Sequence, residues 1–67
     1  MIALNDLSGG EFYLNDDLIF KVEALADTVI TMTDGKTLRV RQSPQEILER
    51  IVGFKQKIYT GNLEAHR

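Results

Sequence analysis

Apolar and polar residues alternate with period two over roughly residues 1 to 42, and the period then changes to about 3.6. Strict alternation marks half-buried strands, and the longer recurrence marks an amphipathic helix. The clearest alternating unit is Thr28 to Gln42, two β-rich runs flanking Asp34-Gly35. Asp-Gly between such runs is a strong hairpin signal, because glycine accepts the positive φ of a tight turn. Leu38 and Val40 alternate with Thr37, Arg39 and Arg41, giving one apolar and one cationic face. Pairing across the turn predicts Met32 near Leu38 and Ile30 near Val40, an apolar patch that needs a cover.

Met1 to Leu7 reads as a first strand with Ile2 and Leu4 on one face and Ala3 and Asn5 on the other. Ser8-Gly9-Gly10 supplies a turn, and Glu11 to Leu14 resumes the alternation with Phe12 and Leu14 inward, making a second hairpin. Asn15-Asp16-Asp17 interrupts it, since short polar side chains bond their own backbone and favour turns. A single helical turn over Asp16 to Ile19 is expected. A strand from about Phe20 to Leu25 follows, with Phe20, Val22 and Ala24 on one face opposite Lys21 and Glu23.

Ser43-Pro44-Gln45-Glu46 is a helix start: a serine cap, proline where no N–H is needed, and glutamate three residues on to close a capping box. The predicted helix runs from Pro44 to about Tyr59, with Thr60-Gly61-Asn62 as its stop and residues 61–67 as a frayed tail. Ile47, Ile51, Phe54 and Ile58 form one stripe, and Leu48, Val52 and Tyr59 form a second beside it. Together they span roughly 160°, wider than the ~100° of an ordinary surface helix. The first stripe is assigned to the sheet and the second to another subunit. Lys55 lies within the arc, its stem able to cover apolar surface while its ammonium reaches water at a rim. Gly53 sits mid-helix at a cost of about 1 kcal/mol relative to alanine, a mark of close approach by another backbone. The resulting fold class is α+β: a small antiparallel sheet of four to five short strands (two hairpins and a linking strand), then one C-terminal amphipathic helix. Residues 1–60 make a single domain.

With 67 residues and 43% hydrophobic content the chain can fold, but so short a core commonly needs reinforcement. No cysteine is available for disulfides or thiolate metal sites, and His66 is the single histidine. Self-association is the remaining way to extend the core. A net charge of −2 offers no global field for a phosphate backbone, so nucleic acid is not the expected partner. No apolar run approaches the ~20 residues of a membrane span, and no basic-then-apolar leader opens the chain. The expected compartment is the cytoplasm.

No catalytic or cofactor-binding constellation is legible. Ser8 and Ser43 read as turn and cap, His66 has no partner for a triad, and Asp16-Asp17 reads as a turn rather than a metal site. The chain is expected not to be an enzyme. Lys36, Arg39 and Arg41 could meet phosphates, but no exposed aromatic is interleaved to stack a base. Charge on an edge strand also blocks aggregation, and that is the assignment made here.

In order along the chain stand Leu7-Ser8-Gly9-Gly10, then Phe12-Tyr13-Leu14-Asn15-Asp16-Asp17-Leu18-Ile19, Val22-Glu23, Ala26-Asp27-Thr28-Val29-Ile30-Thr31-Met32, Gly35-Lys36 and Ser43. This series resembles the small flagellar family called FlbD, also known as the swarming motility protein SwrD, over residues 1 to 59. The motif positions are Phe12, Leu14, Asn15, Asp17, Leu18, Ile19, Asp27, Thr28, Ile30 and Gly35. Ser8-Gly9 stands where the family has Asn-Gly, and Ala26 where it has proline. The resemblance implies an accessory role in flagellar motility, linked to motor power and swarming through the stator, with no cofactor or reaction attached. Val22-Glu23, Ile30-Thr31, Asp34-Gly35 and the Ser-opened helix are also similar to the first part of a LytTR-type DNA-binding domain. That domain is longer, and its later strands and basic elements have no counterpart after Tyr59.

Overall fold

A computed structural model describes the backbone of residues 1–65 and the side-chain surroundings of residues 1–58. Strands β1 (Ile2–Asn5) and β2 (Glu11–Leu14) form the first hairpin, paired Ile2 to Leu14 and Leu4 to Phe12. A 3-10 turn over Asp16–Leu18 leads into β3 (Ile19–Ala24), β4 (Thr28–Met32) and β5 (Thr37–Val40), which form a three-stranded antiparallel sheet. Helix α1 (Pro44–Ala65) closes the chain. The α+β class holds. The strands are divided between two sheets, linked by a bridge from Asp6 to Val40 and by the Arg41 N–H donating to the Asn5 carbonyl at 2.9 Å.

Ile2, Leu4, Ile30, Val40 and Ile47 are the buried core, one or two residues from each of β1, β4, β5 and α1. Phe12, Leu14, Ile19, Val22, Met32, Leu38, Ile51 and Phe54 pack around it half-buried. Burial of such side chains contributes about 1.5–3 kcal/mol each, the main force holding helix to sheets. At the inter-sheet seam, Gln42 and Asn5 exchange two hydrogen bonds. The Asn5 N–H donates to the Gln42 side-chain carbonyl (2.8 Å), and the Gln42 amide donates to Asn5 Oδ1 (2.9 Å).

Four local expectations are corrected. In the central hairpin Ile30 faces Leu38 and Thr28 faces Val40, rather than Met32 facing Leu38 and Ile30 facing Val40. The Gly35 N–H donates to the Met32 carbonyl (2.9 Å), and within this loop Gly35 takes positive φ (+89°). This is a three-residue loop ending in a left-handed glycine, and it draws the return strand two residues tighter. An even shift keeps Leu38 and Val40 on the apolar face.

Phe20 does not share the inward face of Val22 but is 69% exposed. Ile19 pairs with Met32 and Lys21 with Thr31, so Phe20 is the extra residue of a β-bulge that reverses the alternation. Ile58, assigned to the sheet, is exposed. A helix of 22 residues reaches about 33 Å, well past strands of four to six residues, so at Ile58 the helix has outrun the sheets. Finally, α1 runs to Ala65 instead of ending near Tyr59. Glycine at 61 weakens a helix by about 1 kcal/mol without forbidding it, and no proline follows. Residues 66–67 of the expected frayed tail lie outside the described residues.

Candidate interaction surface on the helix

Helix α1 is fastened at several points along its inner side. The Glu46 N–H donates to Ser43 Oγ and the Ser43 N–H to Glu46 Oε1, both at 3.1 Å, which is the capping box. One turn further on Ile47 enters the core, and the Arg50 guanidinium donates to the Ala3 carbonyl. Two turns beyond Ile47, Lys55 closes on the 3-10 turn: its Nζ lies 2.6 Å from Asp17 Oδ1 and 3.6 Å from Asp16 Oδ2.

This ion cluster is anchored on a buried carboxylate. The Asp16 side chain is only 2% exposed, and its Oδ1 lies 3.2 Å from the Met1 α-ammonium. Burial pushes the Asp16 carboxyl up. The hydrogen bond and charge of the α-ammonium, Asp16's own N–H and the Lys55 charge together outweigh burial, and the group titrates below its ordinary value. Lys55 is held above its ordinary value, chiefly by its hydrogen bond to Asp17. Its ammonium is therefore occupied within the chain rather than free at a rim. The sequence holds each partner, but a contact spanning 38 positions leaves no local signal.

The cationic strand face is occupied too. Arg39 Nη1 lies 3.3 Å from Asp27 Oδ2, and Arg41 donates Nε and Nη2 to the Leu7 carbonyl at 3.2 and 3.0 Å. Lys36 lies 3.9 Å from Asp34 at the turn. These residues pin loops.

The outer side of α1 is different. Leu48 is 53% and Val52 45% exposed, while the side chain of Tyr59, the third member of that stripe, lies outside those described. Gly53 is exposed, and beyond its own helical turns no described atom lies within 4 Å of where a Cβ would sit. Its glycine is thus not required by any contact among the described residues. Around it, Glu49 and Lys57 are exposed and, among the described residues, form neither an ion pair nor a side-chain hydrogen bond. The structure thus separates Lys55, turned inward, from Leu48 and Val52, which lie open.

Most of the motif positions have structural work. Phe12, Leu14 and Ile19 pack against the core and Ile30 lies inside it. Thr28 is buried in β4, and Gly35 makes the left-handed turn. Asn15 caps the 3-10 turn, its Oδ1 accepting from the Asp17 N–H at 3.1 Å. Asp17 holds Lys55, and Asp27 holds Arg39. Leu18 is the exception at 49% exposure, beside the bulge that exposes Phe20.

Among the described residues no helix is long and apolar enough to cross a membrane. Compared with known proteins, the chain matches the model of one family, described as "Flagellar and Swarming motility proteins" (FlbD), over residues 1–59. No curated protein and no solved structure matches it.

Proposed function

The chain belongs to the FlbD family of flagellar and swarming motility proteins, and from that premise we propose that it acts in motility without catalysis, by binding protein. The observation that carries this reading is the open outer side of α1. Leu48 and Val52 lie exposed there on a helix whose inner side is fastened by a cap, a core isoleucine and an ion cluster. A rigid helix presenting an apolar stripe is a common form of protein-binding surface. The partners assigned are a second copy of the chain and a component of the flagellar motor, the stator being the candidate. The site of action is the cytoplasm, at the inner face of the motor.

A DNA-binding role is the weaker reading. It would use Lys36, Arg39 and Arg41, and the last two are already engaged with Asp27 and the Leu7 carbonyl. Binding to random duplex at low salt, where phosphate contacts are strongest, would revive it.

The deciding experiment deletes the gene in its host and scores flagellar number separately from swimming and swarming. Flagella present in normal number with impaired swarming supports action on the motor. Normal swimming and swarming would overturn the proposal, and loss of flagella would move the role from motor function to assembly.

A further inference from the structure

Strand β3 is an edge of the three-stranded sheet, joined to β4 on one side and to no strand on the other. An antiparallel ladder bonds every second residue, so the bonds at its ends fix which backbone groups point outward. The Leu25 N–H donates to the Asp27 carbonyl (3.0 Å) and the Thr33 N–H to the Leu18 carbonyl (2.8 Å). These bonds flank Ala24–Thr28 and Ile19–Met32, which are therefore non-hydrogen-bonded pairs. By alternation Glu23 and Lys21 bond to β4, while the N–H and C=O of Val22 and Ala24 point away from it. No loop or side chain among the described residues bonds to those outward groups. The free edge of β1 is treated differently. There the Asn5 N–H donates to Gln42, the Asn5 carbonyl accepts from the Arg41 N–H, and the Ala3 carbonyl accepts from Arg50. A bare row of alternating N–H and C=O groups is the template for one kind of occupant, an extended strand.

The side chains say which strand. Lys21 and Glu23 share one face of β3, with Nζ 3.4 Å from Oε1. We infer that β3 pairs with β3 of a second copy, antiparallel, about a two-fold axis through Val22. Val22 of each copy then donates its N–H to the Val22 carbonyl of the other. Lys21 lies opposite Glu23 of the other copy and Glu23 opposite its Lys21, so each charge gains a second opposite neighbour on the same face. The next register in either direction centres on Lys21 or on Glu23 and sets that charge against itself, so charge selects the register. Phe20, exposed by its bulge, comes to lie beside the exposed Ala24 and Leu25 of the other copy, and the pairing removes apolar surface as well. Strand β2, the other edge, offers no such match, because its one charge, Glu11, meets no cation in a second β2. The two three-stranded sheets become one continuous sheet. This inference rests on the reading of the chain as one that binds a second copy. It uses a surface other than α1, whose open side stays free for the motor component.

Sedimentation equilibrium at about 0.1 mM tests it, since a dissociation constant in the micromolar range leaves mostly dimer there. Wild type is expected at twice the 7.6 kDa of one chain. Glu23→Lys and Lys21→Glu each set two like-charge pairs across the axis and should weaken self-association about tenfold or more. Mixed in equal amounts, these two variants should form a heterodimer about as tight as the wild-type dimer, because each charged row then meets its opposite. Mixing would not restore a role that Lys21 and Glu23 play inside one chain. Amide exchange followed by NMR should be slower at the Val22 N–H in wild type than in Lys21→Glu at the same concentration. A wild-type monomer overturns the inference and leaves the edge to a strand of another protein. A dimer that Glu23→Lys does not weaken, a mixture that fails to pair, or a Val22 amide equally fast in both proteins overturns it too. None of these failures touches the motility reading, which the deletion strain judges separately.

Discussion

The two sides of α1 obey the same helical geometry and meet opposite fates. On the inner side Ile47 is 1% exposed, Glu46 is bound to its cap, Arg50 to Ala3, and Lys55 to Asp17 and Asp16. On the outer side Leu48, adjacent in sequence to Ile47, is 53% exposed, and Gly53 faces open space. A fold of this size has sheet for one side of a helix only. The inner side therefore carries stability and the outer side is free to carry recognition.

Substitutions of neighbours should break that contrast first if it is wrong. Ile47→Ala removes a fully buried side chain from the core to which both sheets contribute, and should cost about 2–5 kcal/mol in a urea titration. Ile51→Ala, half-buried, should cost about 1–2 kcal/mol. Ser43→Ala removes the capping oxygen and should cost about 1 kcal/mol, read in the same titration. Leu48→Ala, measured at concentrations too low for association, should stay within about 0.5 kcal/mol. A loss from Leu48→Ala comparable to that from Ile47→Ala would mean both sides are structural.

Acid titration sharpens the inner side. The folded-state pKa of Asp16 lies below its unfolded value, so its contribution is present above that unfolded value and is lost as pH falls through the folded one. Asp16→Asn should therefore flatten the acid limb of stability against pH. An unchanged limb in Asp16→Asn would show that the buried carboxylate gains nothing from its two cations.

The legible parts of this fold are those written locally. Ser43-Pro44-Gln45-Glu46 specifies its own cap, and alternation in Ile2–Asn5 and Glu11–Leu14 specifies which side chains turn inward. The bulge at Phe20 was hidden, because it lets both Ile19 and Val22 face the core, a demand set by tertiary packing. The hairpin register was missed by two residues because pairing Met32 with Leu38 leaves five residues between them, whereas Thr33-Asp34-Gly35 closes a three-residue loop that brings Met32 against Lys36. Lys55 was legible as lying within the apolar arc, but its partners in the 3-10 turn depend on how the helix crosses the sheets. Leu48 and Val52 were separable from Ile47 and Ile51 by angle alone, and the structure leaves them open.

The outer side of α1 as the working surface is tested most directly by returning Val52→Glu to a deletion strain and scoring swarming. Val52 is exposed and lacks a structural task in the single chain, so the variant should accumulate and fold as wild type does, checked by immunoblot and circular dichroism. The account predicts a folded protein that fails to restore swarming. Full restoration of swarming by folded Val52→Glu would contradict it.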